Sequence, residues 1–298
     1  MQQRLNNAIQ SFDIPHWQPN LTLAQTEQIA LSLEQGAVIH LPKLGFTMTS
    51  DEQKFYSTSW LNGKRKNISL EGAEVRGATG SVDDLAEMAS MITRYANQAT
   101  QLIHILLPNY ILHLNTARTS YRPNLVGAIA ASSWKKDDSR LHVDAFPSRP
   151  NYGERILRVF TNVNPNNMPR VWRVGEAFEQ AAQHFLPNIK RPTPFSASLL
   201  NALGITKRKR SEYDYMMLHL HNHMKADANY QKNAPQQTVS FAPGSTWICF
   251  SDQVFHAAMS GQYMFEQTFH LPITGQYHPD FSPLHILEKL QKRQLVKR

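Results

Sequence analysis

The chain has 298 residues, 41% of them hydrophobic, with a formal net charge of +8 and one cysteine, Cys249. That length allows one large domain or two small ones, the apolar content is ample for a core, and one cysteine excludes an internal disulfide or a thiolate zinc framework. No apolar run approaches a membrane span and the opening MQQRLNNAIQSFDIP lacks a signal-peptide core, so a cytoplasmic location is expected, while the excess positive charge points to nucleic acid, an acidic membrane face or an anionic small molecule as partner.

In chain order, TLAQTEQIALSLEQ at 22–35 has helical apolar spacing with Gly36 as a stop, and AVIHLPKLGF at 37–46 reads as a strand. A long helix is expected over 82–107, with Ser81 as cap, Asp83 and Asp84 in its first turn and Pro108 beyond its end. LHVDAF (141–146), RILRVFTNV (155–163) and VWRVG (171–175) alternate or are rich in β-branched residues, which predicts strands. Helical spacing returns at 176–186 and 211–231. TVSFA, STWICF, QVFHAAM and YMFEQTFHL then read as strands, and LHILEKLQKRQLVKR as a basic amphipathic helix. This order predicts an α+β fold with a double-stranded β-helix core (jelly-roll, cupin-like) wrapped by helices. One domain is expected over 1–298: a helix-rich part at 1–115, a jelly-roll catalytic core with inserted helices at 116–275, and a basic C-terminal helix at 276–298.

His142 and Asp144 stand two apart in a predicted strand, so their side chains share a face. A histidine from a later β-segment would complete a two-histidine, one-carboxylate set, and His256 is the first choice, with His270 as competitor. Three such donors on one side of an octahedral ion leave the other positions open, the arrangement of non-haem iron(II) oxygenases. Oxygenases that also consume 2-oxoglutarate need a cation for its far carboxylate, and arginine binds carboxylates through two parallel hydrogen bonds. Many carry it some ten residues after the distal histidine, but here no Arg or Lys lies between His256 and Lys289. Arg158 is the alternative, on the strand after the His-x-Asp, where oxygenases of the JmjC and asparaginyl-hydroxylase kind place their basic anchor; Arg122 comes next, and Gln267 and Thr268 are polar positions that can assist.

Other histidines and charges have plainer readings. HLHNH at 219–223 falls in a predicted helix, where His219 and His223 share a face without a carboxylate partner. The KRKR run at 207–210 reads as a solvated loop, and His40, His104 and His113 sit among aliphatic residues as structural side chains.

HVDAFPSRP at 142–150, RVFTNVNP at 158–165 and PRVWRVGEAFE at 169–179 resemble the Kdo hydroxylases, which act on 3-deoxy-D-manno-oct-2-ulosonic acid. TARTSYRPN at 116–124, HNHMKADANYQ at 221–231 and PGSTWICFSDQVFHAAMSGQYMFEQTFHLP at 243–272 extend the resemblance. It implies an Fe(2+) and 2-oxoglutarate enzyme, with dioxygen as co-substrate, that hydroxylates C3 of Kdo in Kdo-lipid A to give Ko in the lipopolysaccharide core. His142, Asp144 and His256 match the family's iron ligands and Arg158 its 2-oxoglutarate cation, with Arg122 and Trp172 near the pocket. From a rim of Arg118, Arg122, Arg149, Arg170 and Arg173, some are expected to meet the substrate's carboxylate and phosphates and the others to form solvated ion pairs, while Trp172 reads either as stacking on a sugar face or as a half-buried strand tryptophan. The basic C-terminal helix reads first as a solvated tail and otherwise as a contact for the anionic inner face of the inner membrane, and no nucleic-acid partner is expected. Two rival readings use the same residues: a 2-oxoglutarate oxygenase of nucleic acid or protein, and a non-catalytic basic jelly-roll that binds such polymers or lipopolysaccharide.

Overall fold

The two helices that precede residue 115 start at side-chain caps. In the computed structural model, which describes residues 8–63, 65–128, 133–193 and 195–296, α1 (Leu23–Glu34) starts at Thr22 in a reciprocal capping box with Gln25. Gly36 follows its end with φ +90°, a conformation other residues rarely adopt. α2 (Val82–Leu106) is capped by Ser81, whose hydroxyl accepts from the Asp84 amide, and stops before Pro108. Later helices are α3 (Phe178–Phe185), α4 (Ser196–Ala202), α5 (Glu212–Ala226), α6 (Ala228–Asn233) and α7 (Pro283–Gln291). Among the described residues no helix is long and apolar enough to cross a membrane.

The strands are β1 (Ile9–Ser11), β2 (Val38–Leu41), β3 (Ile68–Glu71), β4 (Glu74–Arg76), β5 (Asn115–Arg122), β6 (Arg155–Asn162), β7 (Arg170–Gly175), β8 (Gln236–Phe241), β9 (Thr246–Phe250), β10 (His256–Ser260) and β11 (Met264–Leu271). Eight form one sheet in the order β1-β2-β9-β6-β11-β5-β3-β4, antiparallel except for the β1–β2 pair, and β10-β7-β8 form a second sheet. The segment before residue 115 is therefore more than a helical part, because β1 and β2 sit at one edge of the large sheet and β3 and β4 at the other. Of these only β2 was expected. β1, β3 and β4 have three or four residues each, too few for alternation to register.

Each face of the large sheet has its own cover. Leu157, Val159, Ile248, Phe250, Phe265 and Phe269 meet the apolar stripes of α1 and α2, where Tyr95 stacks on Phe265 with ring centroids 4.8 Å apart. Phe160, Trp247, Cys249 and Met264 point the other way and pack against Trp172, Val174, Phe241 and Ala258 of the small sheet. The sharing of faces follows from register: Arg158 lies opposite Thr268 on β11 and opposite Cys249 on β9. A third cluster joins Leu141 and Val143 to Phe178, Tyr213, Met217, Leu284 and Leu287. The apolar face of α7 is thus spent inside the protein. The basic terminal helix also ends at Gln291, short of the expected 298, and Arg293 beyond it pairs with Glu212.

The expected strand over 141–146 is reduced to one bridge, with His142 and His256 exchanging backbone hydrogen bonds of 3.1 and 2.9 Å. Beyond it the facing residues 251–255 turn, the Asp144 amide donates to Ser251 O, and Pro147 and Pro150 carry no amide donor to resume a ladder. The expected strand at 253–259 begins only at His256, because residues 251–255 turn, with the Gln253 and Val254 amides donating to Phe250 O.

That turn is tied down by a buried ion pair. Arg155 and Asp252 have side chains 0% and 1% exposed, and Arg155 Nε donates to Asp252 at 2.8 Å. The same guanidinium donates to Gln253 and lies 3.9 Å over the Phe250 ring, while Asp252 also accepts from the Ile156 amide. Removing one partner of such a pair strands a buried charge. Arg155→Met should lower stability by about 3–5 kcal/mol. A urea midpoint equal to wild type at unchanged slope would show that the turn needs no such tie.

Candidate active site

The His142–His256 bridge brings the two imidazoles together at the end of the small sheet, with ring centroids 4.7 Å apart. Each Nδ1 is occupied by a backbone carbonyl, Arg140 O at 2.7 Å for His142 and Val254 O at 2.8 Å for His256. A carbonyl only accepts, so each ring carries its proton at Nδ1 and leaves the Nε2 lone pair free to ligate. Asp144 follows on the same side, its amide held by Ser251 O at 2.8 Å and its Oδ1 4.0 Å from His142 Nε2. One ligand atom from each of the three lies within 4.8 Å of the others, and among the described residues this is the one His/Cys/Asp/Glu group so arranged. His270 takes no part, nor do His219 and His223, whose rings stand 6.0 Å apart on α5.

Electrostatics favours the ligating protonation states. Burial, then the neighbouring His256 and Lys225, holds His142 well below the usual imidazole value, and burial lowers His256 although Asp144 opposes it. Burial alone would raise the Asp144 carboxyl, but Arg158 and the two histidines outweigh it and keep it ionised. Two neutral imidazoles and a carboxylate need lose no proton to take up a divalent ion, and they fit iron(II).

Arg158 reaches this cluster from β6. Its Nη2 lies 2.9 Å from Asp144 Oδ2, and its Nη1 pairs with Glu266. The other oxygen of Glu266 pairs with Arg122, and Thr268 donates to Glu266 Oε1 at 3.3 Å. Thr268 therefore stands on the same face as Arg158. Gln267 does not: alternation turns it to the other face, where it accepts from the Thr119 hydroxyl at 2.5 Å.

Glu266 was missed in the sequence, although it is the sole carboxylate between Asp252 and Asp280 and sits in an apolar strand. His221 was missed as well. The middle histidine of HLHNH faces the centre, its Nδ1 2.8 Å from Val143 O and its ring 5.3 Å from that of His142. Buried Met217 and Met224 lie four residues before and three after it, so helical periodicity carried the signal.

A cleft of about 510 Å³ opens beside the cluster, walled in part by Lys66, Arg122, Lys136, Arg140 and Arg170. From its wall a continuous chain of ion pairs runs inward through Arg122, Glu266, Arg158 and Asp144. Arg170 has no carboxylate partner among the described ion pairs; its Nη1 donates to Gly261 O at 3.2 Å. Burial, and after it the charge of Arg122, pushes Arg170 down to about 9, so it remains a cation at neutral pH.

Other members of the expected rim lie elsewhere. Arg118 is exposed on β5 near Glu71, and Arg149 is exposed beyond Asp144. The guanidinium of Arg173 is taken up by Gln231 O, the Gln236 side chain and Ser139 O. Trp172 is 2% exposed and stacks on His256 with centroids 5.1 Å apart, so it backs a histidine and offers no open face to a sugar. The KRKR loop is on the surface, Arg210 donating to Pro147 O.

The family model for 3-deoxy-D-manno-oct-2-ulosonic acid (Kdo) hydroxylase matches residues 16–294. The chain belongs to the Kdo hydroxylase family. Its fold is similar to solved structures of the Kdo hydroxylase KdoO, a non-haem Fe(II) and α-ketoglutarate dependent dioxygenase. The complex with α-ketoglutarate and Fe(III) is 44% identical with a TM-score of 0.92, each chain being covered to 97%. The cobalt(II) complex is 44% identical with a TM-score of 0.94, covering 97% of this chain and 98% of that one. The apo structure is 45% identical with a TM-score of 0.93, again at 97% of both. No curated protein sequence matches the chain.

Cobalt(II) titrated into the purified protein should bind once per chain, with a visible spectrum that changes on ligation. His142→Ala, Asp144→Ala and His256→Ala should each abolish that binding, whereas His270→Ala should retain it. Retention in His256→Ala would remove His256 from the donor set.

Proposed function

We propose that this chain is an iron(II)- and 2-oxoglutarate-dependent dioxygenase that hydroxylates C3 of Kdo in Kdo-lipid A, giving Ko in the lipopolysaccharide core. The observation that carries the reading is the buried His142–Asp144–His256 set with Arg158 ion-paired to it, in a family member 44% identical to KdoO over 97% of the chain. Two facing sheets with the site at one end also support a double-stranded β-helix core.

The residues fit the groups this chemistry needs. His142, Asp144 and His256 would hold iron from one side and leave the opposite positions to ligands. Iron there would supply dioxygen activation coupled to oxidative decarboxylation of 2-oxoglutarate to succinate and carbon dioxide, one oxygen atom going to succinate and the other to the substrate. Four buried N–H donors around the centre lack acceptors: Nε of Arg122, Arg158 and Arg170, and Nε1 of Trp172. Two carboxylate oxygens beside them, Asp144 Oδ2 and Glu266 Oε2, also lack hydrogen bonds but stand at ion-pair distance from Arg158 and Arg122, so the surplus is of donors, which suits anionic ligands. Arg158 takes the far carboxylate of 2-oxoglutarate, while Arg122 and Arg170 hold the carboxylate of the sugar acid in the cleft. The lipid phosphates fall to Lys66 and Lys136 at the cleft wall.

Contact with the cytoplasmic face of the inner membrane is part of this proposal, because the substrate is anchored there. With the apolar face of α7 buried, the contact is electrostatic, through exposed Lys289 and Lys292 and the loop at 207–209. Each such charge contributes on the order of 1 kcal/mol near an anionic bilayer, screened over roughly 10 Å at 0.1 M salt. Sedimentation with anionic vesicles at low salt and release at high salt are expected; equal recovery with neutral vesicles would count against it.

Succinate should form from 2-oxoglutarate in step with hydroxylated Kdo-lipid A. Arg158→Met should weaken use of 2-oxoglutarate by about 2–5 kcal/mol, and Arg170→Met should raise KM for the lipid substrate with little effect on 2-oxoglutarate. Hydroxylation of nucleic acid or protein with no product from Kdo-lipid A would overturn the substrate, and stoichiometric iron without any turnover would favour a binding module.

A further inference from the structure

Glu266 is a carboxylate 5% exposed in the otherwise uncharged strand MFEQTFHL, and neither the triad nor the cleft needs it as a ligand. A buried carboxylate in that position demands cations, and it has two: Oε1 faces Nη1 of Arg158 and Oε2 faces Nη2 of Arg122. Burial would raise the Glu266 carboxyl, but Arg122 and Arg158 outweigh it and keep it charged.

The consequence lies in which edges of the guanidiniums remain free. A guanidinium is planar, and its Nε–H and Nη2–H project side by side along one edge. In Arg158 the Nη1 corner is held by Glu266, Nη2 meets Asp144, and Nε has no partner. The edge with a spare donor is thus the one turned toward the triad. In Arg122, which walls the cleft, Nη2 is ion-paired with Glu266 and the unpartnered Nε–H lies on that same edge, so the Nη1 corner is the one left clear of Glu266.

We infer that Glu266 is a positioning residue that clamps both arginines at once, turning Arg158 to the far carboxylate of 2-oxoglutarate and Arg122 to the carboxylate of the sugar acid. Thr268 braces the clamp through its hydrogen bond to Oε1. The role depends on the proposed function of Arg158, so the test separates the two.

Binding of 2-oxoglutarate to the cobalt(II)-loaded protein is measured by calorimetry for wild type, Arg158→Met, Glu266→Gln and the double variant, with melting temperatures alongside. The amide of Glu266→Gln can accept from one guanidinium but turns its NH₂ donors on the other. Its affinity for 2-oxoglutarate should fall by about tenfold, the worth of a hydrogen bond to a charged group. Because it acts through Arg158, the double variant should bind no more weakly than Arg158→Met alone. Free Kdo, titrated in the same way with Arg122→Met as partner, should show the same non-additivity. Thr268→Val, a milder change to the same oxygen, should weaken 2-oxoglutarate in the same Arg158-dependent way, and it serves if Glu266→Gln does not fold. Additive losses would reduce Glu266 to a structural ion pair, and tighter 2-oxoglutarate binding would make it a competitor for Arg158; either overturns the inference. An Arg158→Met variant with wild-type affinity would instead remove the proposed role of Arg158.

Discussion

Arg155 and Asp252 are buried against each other where β6 begins and β9 has just ended, and the turn they hold carries much of the site. Ser251 O receives the Asp144 amide, Val254 O fixes the Nδ1 proton of His256, and Phe255 O receives the Gly175 amide. Gln253 extends the tie to Glu34 O at the end of α1 and to Phe281 O. A buried pair recovers its desolvation cost only with good geometry and extra hydrogen bonds, and this one has both. Helix α1, the large sheet and the small sheet thus meet at five residues that aim two of the three metal-binding candidates.

The second constraint is charge. Arg122, Arg158 and Arg170 come together with Asp144 and Glu266, which leaves a cation in excess before any metal is counted. A divalent ion at the triad would enlarge the excess, and a dianionic cosubstrate with an acidic sugar would reduce it. Formal charge over the whole chain is +8, but the charge that bears on chemistry is this small interior group.

On the proposed assignment, Arg158 takes the place of the cation missing after His256. Thr268 lies twelve residues past that histidine, about where many related oxygenases carry their anchor, and it is directly opposite Arg158 across the β6–β11 ladder. A side chain from the neighbouring strand reaches the same face at the same level of the sheet. Glu266 is two residues from Thr268 on that face and becomes the natural partner.

Local patterns determined a good deal. The caps and stops of α1 and α2, the alternation of β6 and β11, and the two-residue spacing of His142 and Asp144 all depend on neighbours in the chain, and they were legible. The short edge strands were not, since three residues hold too little periodicity, and Arg173 and Trp172 were misread because an arginine or tryptophan looks the same in sequence whether its partners are protein or ligand. Only the tertiary structure chose His256 over His270, set Glu266 between two arginines and turned Gln267 away. Those outcomes rest on cross-strand register, where one residue of shift exchanges the two faces of a strand, and register is fixed by contacts between segments about a hundred residues apart.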